Sequence, residues 1–252
     1  TISGIRNRGK FLALTEDMAQ LTGEQRKLYL ANQDRIAQQV QHREASEFKK
    51  DKLKVLAELT KLRQICCDPR LHYEDYKAGS AKLDTCMELV YGALDGGHRI
   101  LLFSQFTGML DIIGKRLAKE DIAFLKLTGA SSKESRAKMV AQFQAGEVPV
   151  FLISLKAGGV GLNLTAADVV IHYDPWWNVA AQDQATDRAH RIGQQHAVTV
   201  YKLIAKDTIE ERIMQMQESK RDLVNSVLGG DGISSALFTR EDVLALLGGD
   251  GR

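Results

Sequence analysis

The chain has 252 residues, of which 44% are hydrophobic, enough for one sizeable core and a small helical appendage. Its 34 Lys and Arg nearly balance its 32 Asp and Glu, so a net charge of +2 excludes nucleic-acid binding by bulk charge and leaves a local basic face as the only route. Three cysteines without CxxC spacing, and no apolar run that would span a bilayer, argue against a disulfide framework, a zinc site or a membrane protein and fit a reducing cytoplasm.

The chain starts at Thr1 and not at Met, so we expect a piece of a longer protein. Residues 1–95 are predicted to be mostly helical. Thr22, three residues before Gln25, matches a capping box and opens a charged helical stretch. Apolar residues at helical spacing follow in 55–62, and Pro69 ends that run. A further helix is predicted over residues 80–95.

From His98 onward, short apolar strands alternate with amphipathic helices. Continuous apolar strands separated by helices are typical of an α/β fold with a parallel sheet that helices cover on both faces. In such sheets ligands bind at the carboxyl ends of the strands. The predicted strands are 99–103, 123–127, 148–153, 168–173 and 198–204, and the predicted helices between the first of them are 107–119 and 133–144.

The C-terminal segment is predicted to be helical. A long helix starts at Thr208, with Glu211 three residues on as a capping box, and a short helix covers 238–247. The apolar stripe of the long helix is Ile209, Ile213, Met216, Leu223, Val224 and Val227. We therefore divide the chain into a helical lead-in (1–95), a sheet core (96–205) and C-terminal helices (206–252).

The strongest chemical pattern lies in residues 182–194. Arg188 and Arg191 are three residues apart on a predicted helix and share a face with Gln184. Two guanidiniums beside an amide suit a polyanion such as a nucleotide triphosphate. A solvated helix face with ordinary charges has the same spacing, so spacing alone leaves both interpretations open.

Other polar or aromatic residues follow the predicted strands directly. Gly158, Gly159 and Gly161 allow backbone N–H groups to approach a phosphate, or form a plain tight turn. The pair Trp176 and Trp177 is either core or a flat surface for bases. The segments 103–106 and 127–132 offer hydroxyl and amide groups that would cradle a phosphate backbone or cap a helix.

Two motifs of complete ATPases are missing from the sequence. It contains no GxxxxGK[ST] loop and no Asp-Glu dipeptide. The chain therefore lacks the usual means to cradle a triphosphate, hold magnesium and orient water.

The motifs closely resemble, in this order, the second RecA-like lobe of Swi/Snf-type superfamily-two DNA-dependent ATPases. FSQF (103–106) is similar to motif IV, and LTGASS (127–132) with Arg136 and Phe143 is similar to motif IVa. LKAGGVGLNLTAAD (155–168) is similar to motif V and DQATDRAHRIGQ (183–194) to motif VI. The family's lead-in and its brace-like segment resemble LTGEQRKLY (21–29), LRQICCDP (62–69), SAKLD (80–84) and VYKLIAKDTIEERI (200–213).

The resemblance implies a RecA-like parallel sheet sandwiched by helices, with helical additions at both ends, and a role for each matching residue. Arg188 and Arg191, with Gln184, would reach the terminal phosphates of ATP, one of the arginines as a finger. Gly159, Gly161 and Asn163 would flank the nucleotide. The residues expected near DNA are Gln105, Gly129, Ser131, Ser154, Lys156 and Trp177. The chain departs from many relatives at Leu155, where they have Thr, and at Val179, where they have Pro.

The expected function is that of the second motor lobe of an ATP-driven translocase or remodeller of double-stranded DNA. Its expected partners are a first RecA-like lobe of the same polypeptide, which would bind most of the ATP and Mg²⁺, and duplex DNA; we expect no membrane and no obligate oligomer. Alone, the chain is expected to be inactive and to bind no cofactor or metal. The alternatives are a non-catalytic protein-interaction platform and a strand-separating helicase lobe. The compact lobe favours a bacterial, nucleoid-associated cytoplasmic protein; a eukaryotic one would be nuclear.

Overall fold

A computed structural model of the chain describes residues 2–7, 10–42, 45–155, 157, 162–176, 179–187, 189, 197–219 and 239–248. Two compact units share them, and the chain enters each unit more than once. The first unit consists of Thr1–Met18, Leu83–Trp176 and Ala180–Ile204, and the second mainly of Ala19–Lys82 and Ala205–Arg252. None of the helices described is long and apolar enough to cross a membrane.

A seven-stranded sheet forms the first unit, in the order β1-β2-β7-β6-β3-β5-β4. The strands β7, β6, β3, β5 and β4 run parallel, as their apolar sequences predict. Each of these five strands lies within two residues of its predicted bounds. The strands are β1 (Ile2–Asn7), β2 (Lys10–Gln20), β3 (Ile100–Ser104), β4 (Phe124–Leu127), β5 (Val150–Ser154), β6 (Val169–His172) and β7 (Val198–Lys206).

The central strands are buried on both faces. Every residue of β3 and β5 is buried, and successive side chains of a strand point to opposite faces, so both faces are covered. The helices of this unit are α3 (Ala81–Asp95), α4 (Thr107–Lys119), α5 (Lys133–Ala145) and α6 (Val179–Thr186). In α5, Phe143 is fully buried, and Met139 and Val140 pack against the same core, so these residues form the apolar face of the helix.

Residues 1–95 are mostly helical, as predicted, but the first twenty residues are an exception and form two strands. β1 and β2 pair as an antiparallel hairpin, with Ile2 opposite Thr15 and Asn7 opposite Lys10. The sequence of β2 is rich in good helix formers such as Leu, Ala, Glu and Met. Its position between β1 and β7 supplies hydrogen-bond partners along both edges of the strand, and this tertiary pairing outweighs the local propensity.

The second unit is built from helices that lie far apart in the sequence. They are α1 (Gly23–Gln41), α2 (Ala45–Cys67), α7 (Ile209–Ser219) and α8 (Arg240–Leu246). Apolar residues of all four helices share one core, which includes Ile36, Leu59, Ile213 and Leu246. The predicted lead-in and C-terminal segments therefore contribute to one hydrophobic core. Of the predicted stripe on α7, Ile209 and Ile213 are buried, whereas Leu223, Val224 and Val227 lie outside the described residues.

The capping box predicted at Thr22 is wrong, although α1 does start there. Thr22 is the N-cap, but its side chain makes no capping hydrogen bond. Gln25 is only 1% exposed and uses its amide elsewhere: Nε2 donates to the carbonyl of Ile65 at 3.0 Å, and Oε1 accepts from Ala81 N at 3.1 Å. The side chain that would have closed the box instead fastens α1 to the end of α2 and the start of α3.

A fully buried ion pair inside the second unit joins Lys82 to Glu210, at the start of α7. Lys82 Nζ and Glu210 Oε2 are 2.5 Å apart, and both side chains are 0% exposed. Glu210 Oε2 also accepts from Ala205 N at 2.9 Å, and Oε1 lies 3.8 Å from the thiol of Cys67. Burial and the Glu210 carboxylate raise the pKa of the neighbouring Cys66, which favours its thiol form.

Candidate functional site

The carboxyl ends of four parallel strands form one edge of the sheet. Ser104 at the end of β3 is in register with Ser154 at the end of β5, and Phe103 is in register with His172 at the end of β6. Leu127 at the end of β4 is in register with Ile153. The segments that follow these strands therefore lie side by side, as the sequence predicts for a ligand-binding edge.

Motif IV is tied to the end of β6 by one carboxylate. Asp174 Oδ1 accepts a hydrogen bond from the Ser104 hydroxyl at 2.5 Å, and Oδ2 accepts from Gln105 Nε2 at 2.6 Å and from Gln105 N at 3.3 Å. Asp174 is only 1% exposed, and Gln105 is half-buried. The amide of Gln105, predicted to lie near DNA, is therefore held by a neighbouring strand end.

The segment after β4 forms a tight turn before α5. Ser131 N donates to the Thr128 carbonyl at 3.1 Å, and the Ser131 hydroxyl accepts from Thr128 N at 3.2 Å. Ser132 caps α5 by accepting from Ser135 N at 3.1 Å. Gly129 is exposed at the tip of the turn, where an added Cβ would meet no atom within 4 Å. Helix capping, one of the two predicted uses of these hydroxyls, is confirmed for Ser132.

The segment after β5 is described only in part. Ser154 is 2% exposed, so its side chain is shielded from the surface on which it was expected to act. Leu155 packs into the apolar core. This apolar environment is consistent with Leu at a position where many relatives have Thr. Arg136 at the start of α5 donates to the carbonyl of Ala157 at 3.2 Å and so links motif IVa to motif V. Lys156, Gly159 and Gly161 lie outside the described residues, and Asn163 is exposed.

Helix α6 carries the start of motif VI. Its buried side includes Gln182 and Ala185, and Ala189 just beyond the helix is also buried, whereas Gln184 is exposed. Arg188 and Arg191 lie outside the described residues.

His172, at the end of β6, fastens α6 to the sheet. Its Nε2 lies 2.9 Å from the Thr186 hydroxyl, which itself donates to the Gln182 carbonyl at 3.3 Å. The Thr186 oxygen therefore accepts the proton of Nε2, and Nδ1 is the unprotonated nitrogen. Burial, reinforced by the charge of Lys202, lowers the pKa of His172 to about 3, so the ring is neutral at pH 7.

The structure describes only one of the two tryptophans. Trp176 is half-buried and packs against the apolar core of the sheet unit, in agreement with the core interpretation. Trp177, the residue expected near DNA, lies outside the described residues. Within the described part of the chain, no cluster of His, Cys, Asp or Glu is arranged to hold a metal ion.

Two residues with clear roles at this edge, Asp174 and His172, are absent from the sequence-based site, and so is Gln144, which lies near the opposite edge. Gln144 in α5 accepts from Ala166 N at 2.8 Å and so holds the end of motif V. Asp174 and His172 could have been found, because each is a polar residue at the end of an otherwise apolar strand. Their partners could not, because those lie 70 and 14 residues away in the chain.

Comparison with known proteins is consistent with this arrangement. The helicase conserved C-terminal domain matches residues 81–193. A protein described as an uncharacterized ATP-dependent helicase of Mycoplasma pneumoniae is 39% identical over 234 residues, which are 92% of this chain and 22% of that protein. The chain thus spans about a fifth of the length of this relative.

Two solved structures from Sulfolobus solfataricus share the fold. The SWI2/SNF2 ATPase core in complex with dsDNA has a TM-score of 0.77 at 34% identity, over 93% of this chain and 50% of that one. The SWI2/SNF2 ATPase C-terminal domain has a TM-score of 0.76 at 32% identity, over 93% of this chain and 97% of that one. The predicted RecA-like fold is thereby confirmed. Since the match extends over nearly all of that C-terminal domain, the chain belongs to the C-terminal helicase lobes of the Swi/Snf-type superfamily-two ATPases.

Proposed function

We propose that this chain is the second motor lobe of an ATP-driven translocase of double-stranded DNA, to which it supplies arginine fingers and DNA-backbone contacts. The observation that carries the proposal is the common sheet edge. The ends of β3, β4, β5 and β6 lie in register there, and they bear the residues of motifs IV, IVa and V. A 34% identical SWI2/SNF2 core was solved in complex with dsDNA, which supports duplex DNA as the partner.

The nucleotide contacts would come from motifs V and VI. Gln184 is exposed on α6. Arg188 and Arg191 lie outside the described residues, and the resemblance of 183–194 to motif VI is what assigns them, with Gln184, to the terminal phosphates. Guanidinium groups donate pairs of hydrogen bonds in a fork that matches phosphate oxygens. One arginine finger raises the rate of ATP turnover by a factor of about 10³–10⁵. Gly159, Gly161 and the exposed Asn163 would flank the nucleotide.

The DNA contacts would come from the segments that follow the strands. Gly129 supports this assignment, because its φ is not left-handed and an added Cβ would meet open space. Nothing within the described chain requires glycine there, whereas close approach of a phosphate backbone would. We assign Ser131 and Gln105 to the same surface, and the resemblance adds Lys156 and Trp177, which lie outside the described residues, as further DNA contacts. The buried Ser154 would support the end of β5 from inside.

The other half of the ATP site must be supplied by another part of the polypeptide. The sequence has no GxxxxGK[ST] loop and no Asp-Glu dipeptide. A first RecA-like lobe would therefore hold the triphosphate and Mg²⁺, while this lobe contributes arginines across the cleft. Contacts to the DNA backbone would give a grip that does not depend on sequence, as tracking requires. We propose on the same basis that the protein works at the bacterial nucleoid or, in a eukaryote, in the nucleus.

The test is ATP turnover by a polypeptide that carries both lobes, measured with and without duplex DNA. Arg191→Ala is expected to lower turnover by about 10³-fold or more and to leave nucleotide binding largely intact. The matched control is Arg26→Ala, which removes an exposed arginine of α1 and should change neither quantity. Turnover by Arg191→Ala within about tenfold of the parent would show that the finger is assigned to the wrong residue.

The same preparation separates the alternatives. A non-catalytic interaction platform would show no ATP turnover that rises with duplex DNA. A strand-separating helicase would displace a labelled strand from a partial duplex in the presence of ATP, whereas the proposed translocase would not.

A further inference from the structure

A buried carboxylate at the end of β6 requires a physical explanation. Asp174 is 1% exposed, and the ion pairs found among the described residues do not include it. Burying a charged carboxylate is costly unless hydrogen-bond donors replace the lost water. Within the described part of the chain, three such donors reach Asp174, and all three come from Ser104 and Gln105 of motif IV.

These hydrogen bonds connect two strand ends that are also neighbours in the sheet. Phe103 of β3 is in register with His172 of β6, and Tyr173 N donates to the Phe103 carbonyl at 2.9 Å. The Asp174 carboxylate extends this connection beyond the last strand residues. Because it receives both the backbone N–H and the side-chain amide of Gln105, it fixes the plane of that amide as well as the position of the chain.

Asp174 also opens the segment that carries the two tryptophans. Pro175 follows it directly, and Trp176 packs against the core of the sheet unit. Asp174 therefore connects motif IV to a chain segment that Trp176 anchors in the core of the sheet unit.

We propose that Asp174 is a positioning residue for DNA-stimulated ATP hydrolysis, which holds Gln105 of motif IV in its DNA-facing orientation. This inference rests on the proposed function. Gln105 acts on DNA only in the orientation that Asp174 imposes on its amide. Loss of either side chain then removes the same interaction with DNA, and loss of both removes it only once.

The experiment is a double-mutant cycle in a polypeptide with both lobes. The variants are Asp174→Asn, Gln105→Ala and their combination. The measured quantities are the duplex-DNA concentration that gives half-maximal stimulation of ATP turnover, and the KM for ATP. Asp111→Asn is the matched control, since it makes the same change in an exposed carboxylate of α4. Thermal unfolding of each variant verifies that it folds.

Each single variant is expected to raise the half-maximal DNA concentration about tenfold and to change the KM for ATP by less than about twofold. The double variant should need no higher DNA concentration for half-maximal stimulation than the more impaired of the two single variants. Asp111→Asn should need the same DNA concentration as the parent. If the effects of Asp174→Asn and Gln105→Ala multiply to about a hundredfold, Gln105 acts on DNA independently and the inference is wrong.

Two further outcomes would also overturn it. If Asp174→Asn lowers the unfolding temperature and raises the KM for ATP together with the DNA concentration, its role is general stability and not positioning. If the parent is stimulated by DNA but Asp174→Asn leaves the half-maximal concentration unchanged, only the role of Asp174 fails. A parent that duplex DNA does not stimulate would refute the proposed function itself.

Discussion

The buried pair of Lys82 and Glu210 offers the sharpest test of what holds the helical unit together. Its two side chains are 0% exposed, and the charged atoms are 2.5 Å apart. Glu210→Gln keeps an oxygen that can accept from Ala205 N but removes the negative charge. The Lys82 ammonium is then left buried with its counter-charge gone.

The expected cost follows from the burial of both groups. Removing one partner of a fully buried ion pair costs about 3–5 kcal/mol, because the remaining charge has lost its water without compensation. For a chain of this size, 1 kcal/mol lowers the unfolding temperature by about 2–4 °C, so Glu210→Gln should lower it by about 10 °C. Lys82→Met combined with Glu210→Gln removes both charges and should recover most of that loss.

The assay is thermal unfolding of the chain, followed by circular dichroism at one pH and one salt concentration. The matched control is Asp111→Asn, which breaks the ion pair between Lys126 and Asp111, whose side chains are 40% and 51% exposed. Exposed pairs contribute about 0–1 kcal/mol, so the control should shift the transition by less than about 4 °C. The reasoning fails if Glu210→Gln loses no more stability than the control, or if the double variant is less stable than Glu210→Gln.

Three more predictions can be checked with the same chain or its two-lobe parent. The neutral, buried His172 should make folding sensitive to acid: the unfolded chain takes up its proton below about pH 6.5 and the folded chain only near pH 3, so stability falls by on the order of 2 kcal/mol between pH 6 and pH 4. Urea unfolding at several pH values measures this, and His172→Gln should flatten that part of the profile. Gly129→Ala should leave the unfolding temperature unchanged, because its Cβ meets open space, yet raise the DNA concentration for half-maximal ATP turnover in the parent; an unchanged concentration would remove Gly129 from the DNA surface. The isolated chain should show negligible ATP turnover and weak DNA binding. The logarithm of its DNA-binding constant should fall with the logarithm of salt concentration at a slope of about −0.9 per phosphate contacted. A binding constant that does not depend on salt would contradict contacts to the DNA backbone.

Local sequence was enough to find the sheet core. The strands β3 to β7 and the helices α4 and α5 lie within two residues of their predicted bounds. This succeeded because a strand buried on both faces must be apolar at every position, as all five residues of β3 are. The order of the motifs at the strand ends then indicated the family and predicted the edge of the sheet for ligand binding.

Local sequence misled where distant parts of the chain supply the partners. Residues 10–20 have helix-forming composition but become β2, because β1 and β7 flank them in the sheet. Gln25 has the spacing of a capping box, but its amide bonds to carbonyls about 40 residues away. In both cases hydrogen bonds to a distant part of the chain are more favourable than the local alternative, and nothing in the neighbouring residues signals such a partner.

The sequence by itself determined the family, the alternation of strands and helices, and the residue types at the ligand edge, because each depends on neighbours a few positions apart. Only the tertiary structure decided which polar groups meet. It pairs Asp174 with Ser104 across 70 residues and Glu210 with Lys82 across 128. The physical reason is that a buried charge must find donors or a counter-charge wherever the folded chain brings them, and such a requirement has no fixed spacing along the sequence.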